Sequence, residues 1–380
     1  MGVNRHKPPF TPLVNSLPHA RGGVLSLVAL LGVAHAATLY VGAGEAYTTI
    51  QSAIDASWNG DTVIVRDGIY SGDGNQSISF RRRAIHLRSE NGPSGCVIQQ
   101  TVQTVEYGFK MDRGEGEGSI IQGFTITGFK VAVLCAQSSP TIRDNVITDN
   151  GGGSGWAISC TNSSAIILNN RITGNRAGGV TANGGAPQII GNTISGNTTQ
   201  SAGKGIYCSR AGGLILDNHI GHNGGTSGYG GGIYASNSPS LLVASNTICA
   251  NTALAGGGVS CLGDYGETLL VLNNVIADNT ATYVGGGIYS ERCSPVITNN
   301  TIAGNSVSGS GDMLGGGALA ATGYSWPSIT STILWGNTVS APSRSSSPAS
   351  SSATWRMSFR YASMNVSPVH KTCGPSALRP

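Results

Sequence analysis

Short apolar runs alternate with polar turns along most of this chain, and the alternation repeats. The motif Asn-x-Ile-x-x-Asn recurs at steps of 22 to 28 residues, and a degenerate copy begins at Thr332. Its first asparagines are Asn145, Asn170, Asn192, Asn218, Asn246, Asn274 and Asn300. An apolar run such as PTIRD or LLVLN precedes each motif, and most repeats begin with a Gly-Ile/Val-x-Cys/Ala/Ser block. Each repeat therefore predicts three short strands separated by turns rich in Gly, Asn and Ser.

Three strands with one apolar face each cannot bury those faces within a single repeat. Stacked repeats, with strands in parallel register about 4.8 Å apart, form a continuous core. The pattern therefore predicts an all-β solenoid, a parallel β-helix, over residues 37–339, with regular repeats over 128–339. At the start, Ile50, Ala53 and Ile54 recur at helical spacing after Thr49. Because a solenoid needs a cap, residues 37–60 are predicted to be the N-terminal cap, with a capping helix.

From about Tyr40 to Asn337, the repeats and the helix before them resemble the right-handed parallel β-helix proteins of the pectate-lyase-like, or pectin-lyase-fold, superfamily. The resemblance implies a right-handed solenoid of about ten coils, each of three short strands, with a helix over the first coil. It implies no single activity, because that superfamily contains lyases, hydrolases, esterases, epimerases and proteins without known chemistry.

The two ends of the chain differ from the repeats. Residues 22–33 form an apolar run behind Arg21, and a small-x-small sequence ends at Ala36, so residues 1–36 are predicted to be a signal peptide. That run is too short to span a bilayer, and the rest of the sequence holds no transmembrane candidate. Residues 340–380 are basic, rich in Ser and without the repeat, which is typical of a disordered tail, a linker or out-of-frame sequence. We therefore expect a secreted or cell-envelope protein.

Charge excludes one class of partner. The formal net charge is +4, but residues 1–36 hold three bases and residues 340–380 hold five, with no acid in either segment. The remaining 14 bases face all 18 acids, so the predicted solenoid carries a net charge of −4. A protein that reads nucleic acid places its basic surface on the folded scaffold. Nucleic acid is therefore not expected as a partner.

The repeated asparagines and glycines are expected to build the fold. An asparagine amide can bond to the same amide one coil away and tolerates tight turns, and an active site would not be copied seven times. The glycine triplets begin at Gly230, Gly256, Gly285 and Gly315. They lack the Lys-Ser/Thr of a phosphate loop and the Asp of the calcium-binding repeat. They permit positive φ and close approach of neighbouring coils.

Four of the eight cysteines share one inward register with small residues. Cys135, Cys160, Cys208 and Cys261 belong to it, so we expect buried thiols stacked along the core. Within this register only Cys135 and Cys160 lie on adjacent coils, and whether they are bridged is left open. Cys293 lies outside the register, in a turn, with no assigned role. The chain has no CxxC and no Cys/His spacing typical of zinc, so no metal site is expected.

Candidate catalytic residues are sparse. A lyase needs a base, usually Lys or Arg, often with calcium held by carboxylates. Lys204 and Arg210 flank one strand and are the weak candidates, and calcium is expected only if the protein is a lyase. His219 and His222 superficially resemble the Gly-His-Gly of β-helix glycoside hydrolases, but the paired aspartates of that family are missing. Two or three carboxylates with a Lys or Arg on adjacent coils of one face would favour an enzyme.

The most specific surface feature lies at outward positions of the cysteine-bearing strands. Tyr207 and Tyr234 occupy neighbouring coils, and Tyr289 lies two coils further on. Exposed tyrosines at intervals of about 4.8 Å nearly match the rise of an extended polysaccharide, and aromatic faces with polar tips suit sugar rings. The alternative is that tyrosine simply favours exposed strand positions. Candidate ligand contacts in the adjoining turns are Asp264, Glu291 and Arg292.

The sequence therefore predicts an exported β-helix protein whose partner is a polysaccharide or cell-surface glycan, or that serves as a structural or adhesive spacer. The alternative is a polysaccharide-degrading enzyme, most plausibly a lyase, that works on the tyrosine-bearing face. The sequence leaves open whether the protein is an enzyme.

Overall fold

The computed structural model describes residues 36–100, 106–152, 155–225, 227–309 and 315–340. The predicted signal peptide, except Ala36, and the predicted tail, except Ser340, lie outside these residues. Within the described ranges, no helix is long and apolar enough to cross a membrane.

The described residues form 36 strands and one helix, and the strands stack into three long parallel sheets and a short one. The first sheet contains β1 (Thr38–Val41), β2 (Thr62–Val65), β4 (His86–Ser89), β7 (Ile120–Gln122), β10 (Thr141–Arg143), β13 (Ile166–Leu168), β16 (Gln188–Ile190), β19 (Gly213–Leu216), β22 (Leu241–Ala244), β26 (Leu270–Leu272), β30 (Val296–Thr298) and β34 (Ser328–Thr330). The second sheet contains β3 (Gly68–Tyr70), β5 (Cys96–Gln99), β8 (Thr125–Thr127), β11 (Val146–Thr148), β14 (Arg171–Thr173), β17 (Thr193–Ser195), β20 (His219–Gly221), β23 (Thr247–Cys249), β27 (Val275–Ala277), β31 (Thr301–Ala303) and β35 (Ile333–Trp335).

The third sheet contains β6 (Tyr107–Met111), β9 (Val131–Ala136), β12 (Ile158–Thr161), β15 (Val180–Asn183), β18 (Ile206–Ser209), β21 (Ile233–Ser236), β25 (Val259–Glu267), β29 (Ile288–Cys293) and β33 (Leu319–Thr322). The short fourth sheet contains β24 (Thr252–Ala255), β28 (Thr280–Val284), β32 (Ser306–Val307) and β36 (Thr338–Val339). Each strand pairs in parallel with the equivalent strand one coil away, as Ile167 does with Ile189. The predicted all-β parallel solenoid of about ten coils is therefore confirmed.

The core is a set of inward columns that run the length of the solenoid. In the first sheet, the central residue of each short strand points inward, and Ile142, Ile167, Ile189 and Ile215 are fully buried. The residues on either side point outward and are partly exposed. This follows from the period of two along a strand, which sends alternate side chains to opposite faces.

The asparagine ladders that the sequence predicts are present on two corners of the coil. Asn246 shows the pattern: its side-chain nitrogen donates to the carbonyl oxygens of Ile215 at 2.8 Å and Ala244 at 2.9 Å, and to Asn274 Oδ1 at 3.0 Å. Its own Oδ1 accepts from the backbone nitrogen of Asn218 at 2.9 Å. Buried turns would otherwise leave these backbone groups unpaired, so the ladders make the corners of the coil compatible with burial.

The single helix, α1 (Ile50–Ala56), covers the open end of the first coil. The Thr49 side chain caps it by accepting a hydrogen bond from the backbone nitrogen of Ser52, and the buried side chains are Ile50, Ala53 and Ile54. This is the predicted capping helix. The segment 37–60 also contains β1, which pairs with β2 and belongs to the first sheet.

The cysteines differ from the prediction at one point. Cys135 and Cys160 pair in register on β9 and β12 but are free buried thiols. Cys261, which the sequence placed among the thiols, is instead bonded to Cys293, which had no assigned role. Cys293 does not belong to the inward column that contains Cys261, so pairing along that column does not predict this bond. A bulge in β25 places Glu267 opposite Cys293 on β29, so the two strands depart from simple register at this point.

Candidate functional site

Tyr207 and Tyr234 form the centre of a row of aromatic rings on the outer face of the third sheet. They pair in register on β18 and β21, and their ring centroids lie 5.1 Å apart. The Trp156 ring, from the turn before β12, lies beside Tyr207 with the ring centroids 5.8 Å apart and the ring planes tilted by 48°. Gly178 makes room for this indole, because a Cβ there would lie 2.3 Å from the ring. We call Trp156, Tyr207 and Tyr234 the aromatic row.

Trp156 was missed from the sequence because it stands in a turn. Trp156 lies two residues before Ile158, the first residue of β12, so it does not belong to the pattern of outward strand positions. Gly178, one coil further along the chain, is the sequence feature that could have indicated Trp156. Neighbouring rings cover part of each tyrosine ring. Tyr207 and Tyr234 are therefore half-buried instead of fully exposed.

Tyr289 departs from the expectation of an exposed ring. It is only 6% exposed, because the rings of Tyr289 and Tyr229 stack with centroids 5.9 Å apart. Its hydroxyl donates to Glu291 Oε2 at 3.0 Å and lies 2.9 Å from Thr322 Oγ1. Burial raises the pKa of Tyr289 to about 12, so the phenol remains protonated and able to donate. Tyr289 therefore holds Glu291 in place and offers little ring surface of its own.

The three charged residues predicted to contact a ligand do meet in one pocket. Asp264, Glu291 and Arg292 line an open pocket of about 190 Å³ at the carboxyl ends of β21, β25 and β29. Its other lining residues are Ser236, Asn237, Leu262 and Gly263. The Asn237 amide donates to Asp264 Oδ2 at 3.0 Å, which fixes that carboxylate. We call this the acidic pocket.

The acidic pocket has an excess of carboxylates. Glu267 lies at its edge, since a Cβ on Gly263 would be 3.0 Å from Glu267 Oε2. Burial, together with the charge of Asp264, raises the pKa of Glu267 above its ordinary value. The pocket and its edge therefore hold three carboxylates and one guanidinium, that of Arg292. Carboxylates and an Arg on adjacent coils of one face are the arrangement that the sequence analysis named as favouring an enzyme.

The two weak catalytic candidates are not brought together. Lys204 is fully buried just before β18, and its ammonium donates to the backbone carbonyl of Ser227. Burial lowers the pKa of Lys204 to about 8. Arg210 is exposed in the turn at the opposite end of β18, at a φ of 50°. A fully buried ammonium does not reach a polymer on the outer surface, so Lys204 has no direct contact to offer there.

His219 and His222 lie apart from the acidic pocket. His219 lies on β20 in the second sheet, away from the aromatic row, and burial with the nearby His222 lowers its pKa. Over the described residues, no group of three His, Cys, Asp or Glu side chains is placed to hold a metal ion.

The aromatic row leads directly into the acidic pocket. Tyr234 and Ser236 are two residues apart on β21, so both point outward, and Ser236 lines the pocket. We call this continuous surface, from Trp156 to Arg292, the tyrosine face. It offers an apolar platform for a flat ring and, at its end, hydrogen-bond donors and acceptors for hydroxyl groups.

A family model described as "Right handed beta helix region" matches residues 43–199 and 156–333 of the chain. No curated protein sequence matches this chain.

Several solved structures are similar to this chain over most of its length. The chain is 18% identical to the A-module of mannuronan C-5 epimerase AlgE4 from Azotobacter vinelandii, covering 80% of this chain and 94% of that one, with a TM-score of 0.46. For the AlgE6 A-module of the same organism, the identity is 17%, the coverage 75% and 94%, and the TM-score 0.44. For the Dettilon tailspike protein, the identity is 14%, the coverage 72% and 64%, and the TM-score 0.37. Nothing about a ligand follows from values this low.

Proposed function

The chain belongs to the right-handed β-helix family, and on that premise we propose that it is an exported protein that binds polysaccharide along the tyrosine face. One observation carries the proposal: a row of aromatic rings, with Tyr207 and Tyr234 stacked on successive coils, runs into a pocket of carboxylate, amide and hydroxyl groups. Sugar rings present apolar faces and a rim of hydroxyls, and a protein surface with one aromatic and one polar part complements both.

The charge of the acidic pocket favours a class of polysaccharide. Asp264, Glu267 and Glu291 outnumber Arg292, so a uronate or sulfate group placed there would meet net repulsion. Neutral sugars face no such cost, and an amino sugar gains from the carboxylates. We therefore expect neutral or amino-sugar polymers to bind more tightly than acidic ones.

The disulfide supports export. Cys261 and Cys293 join two successive coils beside the acidic pocket, and structural disulfides persist mainly in oxidising compartments. This agrees with the predicted signal peptide and with a secreted or cell-envelope location.

A second candidate, a polysaccharide-degrading enzyme, is favoured by the acidic pocket alone. Asp264 and Glu291 are two carboxylates at one site, and the raised pKa of Glu267 suits a general acid. Under this hypothesis the aromatic row holds the polymer and the pocket cleaves it. A spacer without ligand would need neither feature.

The test measures binding and turnover with the same polymers. The full-length protein is titrated with a neutral, an amino-sugar and an acidic polysaccharide, with and without calcium, while new reducing ends and unsaturated products are followed. We expect binding of a neutral or amino-sugar polymer, weakened about tenfold or more by Tyr207→Ala or Tyr234→Ala. Product formation that is lost in Glu291→Gln would establish the enzyme instead.

Tyr283→Ala is the matched control, because Tyr283 is a tyrosine 39% exposed on the fourth sheet. Its affinity for the polymer should equal that of the unchanged protein. Binding that survives loss of both Tyr207 and Tyr234 would remove the tyrosine face as the site. Absence of binding to all three polymers would leave a structural spacer.

A further inference from the structure

The outer face of the first sheet carries aliphatic side chains over six successive coils. One outward column, in register through the strand pairs from β13 to β30, runs through Ile166, Gln188, Leu214, Leu242, Leu270 and Val296. The second column lies two residues further along each strand, from Leu168 to Thr298, and is also mainly aliphatic. We call these two columns the aliphatic face. All of it is outward-pointing, because the residue between the columns is the buried core position of each strand.

Packing of the core does not require aliphatic residues at these outward positions. The second sheet has the same inward isoleucines, yet its outward positions are mixed: they are threonine and serine in β8 and β17, and include arginine in β14 and histidine in β20. On the aliphatic face, Leu270 remains 38% exposed, and the other aliphatic positions are mostly intermediate between buried and exposed. Contiguous exposed apolar surface of several hundred Å² usually marks a contact with another molecule.

The aliphatic face is also uncharged. Outward positions from β13 to β34 in the described chain hold no Asp, Glu, Lys or Arg, whereas Arg88 and Arg143 stand in the same columns closer to the N-terminus. A flat surface without charges does not repel a copy of itself when the two are turned face to face. Two aliphatic sheets pack well in this way, with side chains interdigitating about 10 Å apart.

We propose that the aliphatic face is the contact between two copies of this chain in a two-fold symmetric dimer. A two-fold axis near Leu214 and Leu242 places the first coil of the face against the last coil of the partner's face, so each apolar residue meets another. Arg143 then lies beyond the contact on both copies.

The available area fits a weak dimer. Six coils at about 4.8 Å and two columns about 13 Å wide with their side chains give roughly 375 Å² for each copy, about 750 Å² in total. That is less than the roughly 1,000 Å² of a stable specific interface and is the size of a weak, transient contact. We therefore expect a dissociation constant of about 100 µM, and the dimer leaves the third sheet of each copy accessible. Two tyrosine faces on one particle would bind a polymer with higher avidity than one.

Sedimentation of the full-length protein over a range of concentrations tests the proposal. We expect a monomer–dimer equilibrium that Leu242→Glu weakens at least tenfold, because the substitution places a carboxylate on each side of the axis. Val275→Glu is the matched control: Val275 points outward from β27, in the second sheet and the next coil, and should leave the equilibrium unchanged.

A cross-linking measurement keeps the result interpretable if Leu242→Glu fails to fold. Leu242→Cys should be joined into a covalent dimer by a bis-maleimide reagent that spans about 10 Å, since the axis brings it near its own copy across the two packed sheets, and Val275→Cys should not. A monomer at all concentrations up to about 100 µM would overturn the proposal and indicate a different cover for this face. A dimer unaffected by Leu242→Glu would overturn it as well, by placing the contact elsewhere.

Discussion

The aliphatic face and the tyrosine face stand on the same coils and have opposite surfaces. Behind both lie inward columns of the same kind, with Ile189 and Ile215 in the first sheet and Ile206 and Ile233 in the third, all fully buried. In front, one face carries leucine and isoleucine, and the other carries stacked tyrosines and a charged pocket. Core packing fixes the inward residues of a β-helix and leaves the outward residues free. The outward chemistry is therefore the part of the sequence that reports contacts with other molecules.

The connections between strands differ between the two faces, and the acidic pocket lies on the more irregular one. First-sheet strands end in short asparagine turns of constant length, so their outer surface is flat. Third-sheet strands are longer and uneven: β25 spans nine residues and has a bulge opposite β29. Bulges re-aim side chains locally, and this one lies between Leu262 and Glu267 at the acidic pocket. A flat face suits another flat face, and an indented one suits a smaller ligand.

The largest effect is expected from a change that removes the frame shared by both faces. Asn246→Ala eliminates hydrogen bonds to Ile215, Asn218 and Asn274 in the middle of the ladder. It leaves two or three buried backbone and amide groups unpaired, at about 1–3 kcal/mol each. We expect the free energy of unfolding to fall by about 4 kcal/mol, measured by denaturant titration.

Asn246→Ala should weaken the contacts made by both faces together. Dimerisation and polymer binding are expected to weaken in parallel under conditions where Asn246→Ala is partly unfolded. Asn183→Ala is the control, since Asn183 is an exposed asparagine at the end of β15 and outside the ladders. If Asn246→Ala abolished one face and left the other intact, the two would not rest on a common frame.

The ladders and inward columns that both faces share were predictable from the sequence. The outward residues of the faces were only partly predictable. Each Asn-x-Ile-x-x-Asn repeat contains its own turn and core residue, so the ladders and inward columns follow from local spacing. Asp264, Glu291 and Arg292 were chosen as residues in turns next to outward tyrosines, and they do line one pocket. The burial of Tyr289 was not predictable. It depends on Tyr229, which lies outside the named strands and is held by an isolated bridge to Ala255.

The aliphatic face had a signal in the sequence that went unused. Strands of the second sheet alternate, as in Thr-Ile-Ser, whereas the first-sheet strands β13 and β26 read Ile-Ile-Leu and Leu-Val-Leu. Three apolar residues in a row mean that both sides of the strand are apolar. The Cys261–Cys293 bond lacked any such signal, because it depends on the bulge in β25.

A smaller change, an increase in the free energy of unfolding, is expected when the buried charge of Lys204 beside the tyrosine face is removed. Lys204 has its pKa lowered from 10.5 to about 8 in the folded protein. Below pH 8 both states hold the proton, so the cost of burying the charge is constant. Between pH 8 and 10.5 the unfolded chain binds more protons, and stability rises with pH. Lys204→Met should therefore be more stable at pH 7, by about 2 kcal/mol after loss of the hydrogen bond to Ser227.

That advantage should shrink as the pH rises above 8. Thermal or denaturant unfolding of both proteins at pH 7 and pH 9.5 gives the difference, and the tyrosines common to both cancel. Lys130→Met, at a half-exposed lysine, controls for the general loss of a lysine. A Lys204→Met protein that is less stable at pH 7, with a difference independent of pH, would contradict the sign. It would mean that the ammonium contributes more through its hydrogen bond than burial costs.

The smallest effect on folding is expected on the aliphatic face itself. Leu216→Thr copies the threonine that the second sheet places at outward positions, and threonine is a favourable strand residue. Because Leu216 points outward, the free energy of unfolding of the monomer should change by less than about 1 kcal/mol. The neighbouring Ile215→Thr buries an unpaired hydroxyl and removes core volume, so it should cost more than about 2 kcal/mol. Measured on dilute monomer, equal costs for the two variants would mean that Leu216 belongs to the core. The outward surface of the first sheet would then need no partner to explain it.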